Sequence, residues 1–443
     1  MRNSKGTLFS NIDPILFALY LLLMFFGLAT IYSSSYSEEF PNLFSFEKEY
    51  GRQVVFIGVS LLLGIGILNL DKDFFFRYSF IFYLIVLLLL IGVLFTPPIN
   101  GARSWFSIGP FSLQPSEFAK YATSLTLAQY MSLPTTRLKS ISTRFLILLM
   151  IAIPAGLIIL QPDAGTLLVF ISFIFVFYRE GLSGGILLFG VYAIGLAVIT
   201  LFYQNTFINI PFSENKLEAN YFIIIVLTFF ALIFWWMIQF LVRPRYRARQ
   251  YVNLIAAYAV SVTIILSASW VFQNIFEDRH RDRIEILFGK KIDRQGAGYN
   301  IYQAMSAVGS GGFIGKGYRD GTLSNDQFKH VPEQSTDFIF CSLSEEWGFV
   351  GSLLMILLFM GLIVKIILIA ERQRSQFTRI FAYCAAGIFF FHFMINIGMV
   401  IGLAPVIGIP LPFFSYGGSS IISFSLIIFT LLKLDAERLD IFR

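Results

Sequence analysis

Long apolar runs separated by short polar connections dominate the chain. A run of about 20 apolar residues is long enough to cross a bilayer as an α-helix. Twelve such runs are predicted, at residues 14–34, 53–70, 75–95, 115–132, 145–160, 164–178, 183–203, 221–242, 251–273, 347–370, 380–403 and 413–432. The pattern therefore predicts an all-α polytopic membrane protein with about 12 transmembrane helices, forming a single membrane domain over residues 1–443.

One polar stretch, residues 274–346, is much longer than the other connections. From residue 299 to 310 its apolar and polar positions separate onto opposite faces of a helix, which predicts a short amphipathic helix at the membrane interface. Nine glycines fall between Gly289 and Gly321, a density that permits tight turns and close approach to a ligand. Their spacing fits neither the phosphate-binding P-loop nor the dinucleotide fingerprint, so the pattern does not predict a nucleotide site.

Composition supports the membrane assignment. The chain is 56% hydrophobic and only 14% charged, whereas soluble domains carry about 25% charged residues. Two cysteines, Cys341 and Cys384, cannot form a disulfide framework, and no Cys/His spacing predicts a zinc site. The net charge of +6 lies largely in the connections, which indicates membrane topology rather than binding to nucleic acid.

The distribution of Lys and Arg predicts the orientation of the chain. These residues are concentrated in the connections on one side of the predicted membrane, including "RPRYRAR" (243–249). By the positive-inside rule this side is cytoplasmic, so both termini are cytoplasmic and residues 274–346 lie outside. Residues 279–294 of that outer loop carry a basic excess, which also suits contact with anionic lipid head groups.

Charged side chains within a predicted span are costly and therefore indicate function. Glu117 and Lys120 lie three residues apart on one face of the run 115–132. Two interpretations remain open. The residues form either an interfacial ion pair whose lysine extends to water, or a pair that lines a polar cavity bordered from outside by Arg103.

Other polar positions also fall near the outer half of the bilayer. Asp163 in "LQPDAGT" is well suited to be a helix N-cap, and Asp337 is suited to interact with a helix N-terminus. The segment "GIPLPFFSYGGSSI" (408–421) places two prolines and Ser415 at the outer mouth of the last span. Non-helical backbone at this depth must be buried in protein or line a wet cavity. The pattern thus predicts a cavity for an amphipathic substrate.

Five blocks of sequence together resemble the SEDS family (shape, elongation, division and sporulation). They are "QPSEFAK", "QPDAGTLLVF", "DRQGAGYNIYQAMSAVGSGGFIGKGYRDGT", "PEQSTDFIFCSLSEEWGFVG" and "NIGMVIGLAPVIGIPLPFFSYGGSS". The blocks follow each other in the expected order over most of the chain. "GKGYRDGT" and "GIPLPFFSYGG" are more similar to the elongation (RodA-type) branch than to the division (FtsW-type) branch. Because SEDS proteins usually have ten spans, the resemblance marks residues 204–250 as an inserted helix pair.

The resemblance implies a peptidoglycan glycosyltransferase of the bacterial cytoplasmic membrane. Such proteins polymerise lipid II, a disaccharide-pentapeptide on undecaprenyl pyrophosphate, at the outer face of the membrane during cell elongation. It implies that residues 274–346 form the extracytoplasmic catalytic loop, with Asp293 as the catalytic aspartate. It also implies a divalent cation, Mg²⁺ or Mn²⁺, whose ligands the sequence does not assign. The implied partners are a class B penicillin-binding transpeptidase and other proteins of the elongation complex.

Residue chemistry and the resemblance together give a set of candidate site residues. Substrate contacts are predicted for Glu117, Lys120, Arg103, Lys316 and Ser415. Supporting roles in the loop and at helix ends are predicted for Gly296, Gly298, Asp163, Glu333, Asp337 and Glu346. Two positions depart from the family pattern: Arg294 replaces the usual proline after Asp293, and Ser335 replaces a usual histidine.

A single carboxylate among cations suits glycosyl transfer from a pyrophosphate. The leaving group needs cations that stabilise its developing charge, and the acceptor hydroxyl needs a base, whereas a glycosidase needs two facing carboxylates. Lys291 and Arg294 oppose the action of Asp293 as a base, and desolvation under a bound lipid would restore it. Two other functions remain open: a flippase for the lipid-linked precursor, and a non-catalytic scaffold of the elongation machinery.

Overall fold

The structure covers most of the chain. The computed structural model describes residues 11–99, 102–109, 111–136, 138, 140–181, 183–204, 206–209, 216–274, 278–288, 290, 297–322 and 334–438. Three of the candidate residues, Asp293, Gly296 and Glu333, lie outside the described residues.

The chain divides into two compact units, Met1–Leu182 with Tyr299–Arg443, and Ser183–Gly298. The first unit contains α1 (Pro14–Ser34), α2 (Glu49–Leu68), α3 (Lys72–Val93), β1 (Phe106–Ile108), β2 (Phe111–Leu113), α4 (Pro115–Ser132), α5 (Ile141–Ile159), α6 (Ala164–Phe170) and α7 (Phe173–Arg179). The second contains α8 (Gly184–Phe202), β3 (Phe207–Asn209), β4 (Lys216–Glu218), α9 (Ala219–Leu241), α10 (Pro244–Asn274) and α11 (Asp278–Leu287). The helix α12 (Ala297–Ser310) begins at the boundary, and α13 (Ile339–Arg372), α14 (Gln376–Val400) and α15 (Gly418–Ala436) complete the first unit. Each pair of short strands, β1–β2 and β3–β4, forms an antiparallel hairpin.

Ten helices in the described part of the chain are long and apolar enough to cross a membrane. The polytopic α-helical fold is therefore confirmed, while the count of twelve spans is not. The two remaining predicted runs are helical but differ from the rest. The run 115–132 forms α4, which is too polar to meet the same measure, and the run 164–178 is divided at Ile171 and Ser172 into α6 and α7.

The polar helix α4 lies at the centre of the first unit. It contacts α3, α5, α6, α14 and α15, and nearly all of its residues are buried. Several of its hydroxyl groups have partners within the protein: Tyr121 Oη lies 2.9 Å from Thr430 Oγ1, and Thr126 Oγ1 donates to the Ala122 carbonyl at 3.0 Å. A helix of this polarity is stable inside a membrane protein because neighbouring helices replace water as hydrogen-bond partners.

The second unit is built on α10, which packs against α8 and α9. Polar contacts join these helices, with Tyr192 Oη 2.7 Å from Ser261 Oγ and Thr228 Oγ1 2.8 Å from Tyr258 Oη. The apolar window of α9 has no buried residue, as expected of a helix that faces lipid. The stretch 204–250 comprises the β3–β4 hairpin, α9 and the start of α10, and its origin as an insertion stays a prediction.

Ion pairs gather at the end of the first unit where α1 begins and where α13 and α15 end. Asp13 Oδ2 lies 2.9 Å from Lys365 Nζ and 2.8 Å from Arg372 Nη2. Arg372 also pairs with Asp435, which Arg438 contacts at 3.3 Å. Arg372 and Arg438, which follow predicted spans on the predicted cytoplasmic side, are thus paired with carboxylates in one network together with Lys365.

Replacing Asp13 by Ala is expected to lower thermal stability at pH 7. Asp13 caps α1 by accepting hydrogen bonds from the backbone N–H groups of Ile15 and Leu16 at 3.1 and 3.0 Å. Although desolvation by burial acts in the opposite direction, hydrogen bonds from Lys365, Leu16 and Arg372 hold the pKa of Asp13 below its ordinary value. The carboxylate therefore stabilises the fold above its unfolded pKa, and this stabilisation is lost as the pH falls through the folded pKa. Loss of the cap alone costs about 1 kcal/mol.

Thermal unfolding in detergent at several pH values measures this effect. The difference between wild type and Asp13→Ala should be largest near neutral pH and should shrink below about pH 4. Asp71→Ala is the matched control, because Asp71 precedes α3 and its side chain makes no capping hydrogen bond. Equal losses in the two variants at pH 7 would contradict the assignment.

Candidate functional site

A fully buried ion pair lies in the first two turns of α4. Lys120 Nζ is 2.9 Å from Glu117 Oε2, and the two side chains are 0% and 1% exposed. The interpretation in which Lys120 extends to water is therefore wrong. Ser423 Oγ of α15 donates to the Glu117 carbonyl at 2.7 Å and so ties α15 to this turn of α4. The structure thus places two opposite charges, with partners, in the core of the first unit.

His392 of α14 completes this cluster, and sequence analysis did not identify it. Its Nε2 lies 2.7 Å from Lys120 Nζ, and its Nδ1 lies 3.0 Å from the Pro410 carbonyl oxygen. The Lys120 ammonium also lies 5.0 Å from the centre of the Phe424 ring. A signal was present, because a histidine within the apolar stretch "IFFFHFMIN" is an ionisable residue at membrane depth. We call Glu117, Lys120 and His392 the buried triad.

Asp163 links the start of α4 to the start of α6. It caps α6 as predicted, accepting from the Thr166 backbone N–H at 3.0 Å. Its Oδ2 also accepts from Thr166 Oγ1 at 2.8 Å, Gln114 Nε2 at 2.9 Å and Ser116 Oγ at 3.0 Å. The aspartate therefore does more than cap one helix, because it holds the residues that lead into the buried triad.

Between α14 and α15 the backbone leaves helical geometry over residues 401–417, and we call this the interrupted segment. Side chains from other parts of the chain satisfy its backbone groups. Asn396 Nδ2 donates to the Ile409 carbonyl at 2.7 Å, and Gln53 Nε2 donates to the Ser415 carbonyl at 3.3 Å. This arrangement meets the requirement that non-helical backbone at membrane depth be buried within protein.

Ser415, predicted to contact substrate, has a structural partner in this segment. Its Oγ accepts a hydrogen bond from the Leu411 backbone N–H at 2.8 Å, and the residue is 4% exposed. The adjacent Tyr416 N–H donates to the Ser335 carbonyl at 2.8 Å. A substrate contact by Ser415 stays a prediction.

Lys316 is held by a buried carboxylate in the outer loop. Its Nζ lies 2.5 Å from Oε1 of Glu345, whose side chain is 0% exposed. The same oxygen accepts from the Thr322 backbone N–H at 2.9 Å and from Thr322 Oγ1 at 3.1 Å. Glu345 therefore fixes the segment that follows α12, and the predicted contact between Lys316 and substrate remains to be tested.

Glycines let this segment lie directly on the first turns of α13. The Gly317 N–H donates to the Glu346 carbonyl at 3.0 Å, and the Phe349 N–H donates to the Gly312 carbonyl at 3.0 Å. At Gly348 the backbone of α13 is non-helical, with φ +62°. A Cβ at this position would lie 2.4 Å from the Gly315 nitrogen, so the close approach requires glycine.

Gly315→Ala is expected to destabilise the protein. The backbone φ of Gly315 is +93°, and an added Cβ would lie 2.1 Å from the Glu346 carbonyl oxygen. Backbone strain of this kind costs about 1–3 kcal/mol before the clash is counted. The control is Gly309→Ala in α12, where an added Cβ meets no atom within 4 Å and alanine favours the helix. A Gly315→Ala variant that unfolds at the wild-type temperature would refute this account of the loop.

Glu346 links α13 to α1. Ser33 Oγ donates to its Oε1, while Oε2 has no hydrogen-bond partner in the described part of the chain. The residue is 4% exposed. Glu346 thus occupies a buried position between two helices, and Ser33 is a contact that sequence analysis did not predict.

Three further candidate residues have the following positions and contacts. Arg103 is exposed, and its Nη1 donates to the Leu94 carbonyl at 3.4 Å. Asp337 is half-buried just before α13, and its carbonyl accepts from Asn396 Nδ2 at 2.8 Å. Gly298 lies in the first turn of α12. The structure therefore pairs Glu117 with Lys120, while Arg103, Lys316 and Ser415 each have other partners.

Comparison with known proteins gives a match along nearly the whole chain. The family model described as "Cell cycle protein" (FtsW, RodA and SpoVE) matches residues 13–216 and 220–439. The chain is 32% identical over 441 residues to "Peptidoglycan glycosyltransferase RodA" of Treponema pallidum, covering 97% of this chain and 99% of that protein. It is 30% identical over 414 residues to "Peptidoglycan glycosyltransferase MrdB" of Escherichia coli K12, covering 93% of this chain and 90% of that protein.

Solved structures share the fold. One, from work titled "Structural coordination of polymerization and crosslinking by a peptidoglycan synthase complex", is 25% identical and aligns with a TM-score of 0.64 over 97% of this chain and 99% of its own. The crystal structure of Thermus thermophilus rod shape determining protein RodA is 23% identical, with a TM-score of 0.59 and the same coverage. The helical fold described above is thus similar to that of solved proteins.

Proposed function

The chain belongs to the FtsW/RodA/SpoVE family, and on that basis we propose that it is a peptidoglycan glycosyltransferase that polymerises lipid II during cell elongation. The observation that carries this proposal is the near full-length match to two proteins that bear the name peptidoglycan glycosyltransferase. The ten apolar helices make it a multi-pass membrane protein. We further propose that it lies in the bacterial cytoplasmic membrane with both termini inside, because the basic connections lie on that side.

The proposed chemistry needs one base and several cations. Asp293 takes the proton of the acceptor hydroxyl, the hydroxyl oxygen bonds to the anomeric carbon of the donor sugar, and the bond to the pyrophosphate breaks. The pyrophosphate leaves on its lipid with both bonding electrons, and neighbouring cations stabilise its charge. The base belongs to the outer loop, as the sequence resemblance implies.

The described part of the outer loop supports this role. The segment after α12 is fixed to α13 through Glu345, Lys316 and the close glycine contacts. This anchoring gives the described part of the loop a defined position against α13, and a defined position favours correct placement of reacting groups. The buried triad supplies a paired charge inside the helical core.

A divalent cation at the pyrophosphate is a further part of the proposal. In the described residues, no three His, Cys, Asp or Glu side chains gather in a way that would hold a metal ion. The described side chains therefore do not form a metal site on their own. We derive no catalytic step through a metal for this chain.

We also propose a class B penicillin-binding transpeptidase as a partner, together with other proteins of the elongation complex. The support is the similarity to a structure whose title describes polymerisation and crosslinking by one peptidoglycan synthase complex. Such a partner would join the new glycan strands through their peptides. The exposed apolar helices of this chain are compatible with contact to a membrane helix.

The purified chain in liposomes containing lipid II tests the proposal directly. Glycan polymer, measured by gel separation of labelled product with and without the transpeptidase, is the expected result. Movement of lipid II between leaflets without polymer would show a flippase instead. A protein that forms no polymer and moves no lipid II, but still binds its partner, would be a scaffold. Either the flippase result or the scaffold result would overturn the assignment.

A further inference from the structure

His392 is the member of the buried triad that lies on α14, and the chemistry proposed for Asp293 does not involve it. Both ring nitrogens have partners, with Nε2 2.7 Å from Lys120 Nζ and Nδ1 3.0 Å from the Pro410 carbonyl. His392 is 1% exposed and Lys120 is 0% exposed. A buried histidine whose two ring nitrogens both have short polar contacts has a fixed ring orientation.

The chemical identity of the two partners determines the protonation state and tautomer of the His392 ring. A lysine ammonium can only donate hydrogen bonds and a carbonyl can only accept them. Nε2 must therefore be the acceptor from Lys120, and Nδ1 must carry the proton that it donates to Pro410. The ring is thus neutral and is held in the Nδ1–H tautomer.

The Lys120 ammonium is in turn held from three directions. One proton points to Glu117 Oε2 at 2.9 Å and a second to His392 Nε2 at 2.7 Å, while the Phe424 ring centre lies 5.0 Å away. Glu117 belongs to the same helix, three residues away, so it ties Lys120 only to α4. Of the two hydrogen bonds described for the ammonium, the one to His392 ties Lys120 to a different helix, α14, and through Pro410 to the interrupted segment.

We propose that His392 is a positioning residue that fixes the Lys120 ammonium and couples it to the interrupted segment during polymerisation. This inference rests on the proposed function. The Nδ1–Pro410 hydrogen bond makes the ring orientation depend on residues 401–417, and the Nε2 contact transmits that orientation to Lys120. A displacement of the segment at the outer mouth therefore changes the position of a buried positive charge.

Two amide substitutions separate the two hydrogen bonds of the ring. The side-chain amide of Gln reaches the position of Nε2 and offers an oxygen acceptor to Lys120. The shorter amide of Asn reaches the position of Nδ1 and can donate to Pro410, but it does not reach Lys120. His392→Gln thus keeps the contact that the proposal requires, and His392→Asn loses it. Met394→Leu, at a position that is 45% exposed on the same helix, is the control.

Polymerisation by purified chain in lipid, with kcat and KM determined separately, gives the first readout. We expect His392→Asn to lower kcat about 100-fold and His392→Gln to stay within about threefold of wild type, because misplaced groups cost this much. KM should change less than kcat, since His392 itself has no predicted contact with substrate. Met394→Leu should match wild type in both constants. Equal loss in the Gln and Asn variants, or no loss in either, overturns the proposal.

Nitrogen NMR of histidine-labelled protein gives a readout that does not depend on activity. The chain has three histidines, and the resonances of His392 are those that disappear in His392→Gln. We expect Nδ1 protonated and Nε2 unprotonated, and we expect the Nε2 resonance to shift in the double variant Glu117→Gln/Lys120→Met. An Nε2–H tautomer, or an Nε2 resonance that does not respond, overturns the proposal.

The two readouts distinguish failure of this inference from failure of the proposed function. If wild-type protein forms no polymer, the proposed function fails, and the catalytic part of the inference fails with it. If wild-type protein forms polymer while the Gln and Asn variants behave alike, only the role of His392 is overturned.

Discussion

Asp293→Asn is expected to abolish polymer formation from lipid II while leaving the protein folded. Asparagine has nearly the same shape as aspartate but cannot accept the proton of the acceptor hydroxyl. General base catalysis contributes roughly 10²–10⁴-fold to rate, so kcat should fall by about that factor. The cations Lys291 and Arg294 remain in the variant, so substrate binding should persist and KM should change little. Single-turnover measurement with labelled lipid II separates binding from chemistry.

Asp282→Asn is the matched control for this experiment. Asp282 is another acid of the same outer loop, located in α11. Its substitution by Asn removes the same charge without removing the proposed base. Its rate should remain close to that of wild type. Normal polymerisation by Asp293→Asn, or an equal loss in both variants, would remove Asp293 from the proposed mechanism.

Lys120→Met is expected to be the most destabilising single substitution in the core. It leaves the Glu117 carboxylate buried, 1% exposed, without its cationic partner. Breaking a buried ion pair by removing one member costs about 3–5 kcal/mol, because an uncompensated charge remains. Replacing both members, in Glu117→Gln/Lys120→Met, removes both charges, so most of the lost stability should return.

Thermal unfolding in detergent, with polymerisation measured on the same samples, tests this expectation. If the ion pair has a role beyond folding, the double variant should unfold close to wild type and still fail to polymerise lipid II. Arg179→Ala is the control, because Arg179 and Glu371 form an exposed pair, with side chains 47% and 48% exposed, and exposed pairs contribute little. A double variant as unstable as Lys120→Met would refute the burial argument.

Local sequence chemistry was sufficient for several features. The apolar runs predicted the membrane helices, and the caps at Asp163 and the amphipathic pattern that became α12 follow from adjacent residues. The run that forms α4 was recognised as a helix, but its position was not. Periodicity shows which residues share a face, while only the packing of neighbouring helices shows whether that face meets water, lipid or protein.

In the candidate site, too, the sequence showed which residues are neighbours on a helix but not what they contact. Glu117 and Lys120 could be paired from their spacing of three residues, yet one of the two interpretations placed the lysine in water. The structure contradicts that interpretation because Lys120 meets His392, a residue 272 positions away. Likewise Lys316 was predicted to contact substrate from the sequence, and only the structure showed that it pairs with Glu345 across a separation of 29 residues.

Composition, periodicity and short ordered blocks of sequence were sufficient to predict an all-α membrane protein, most of its spans and the family it resembles. The central position of α4, the buried triad and the attachment of the segment after α12 to α13 are properties of the packed fold. The physical reason is that the cost of a buried charge depends on the partner it meets, and in this fold those partners come from distant parts of the chain.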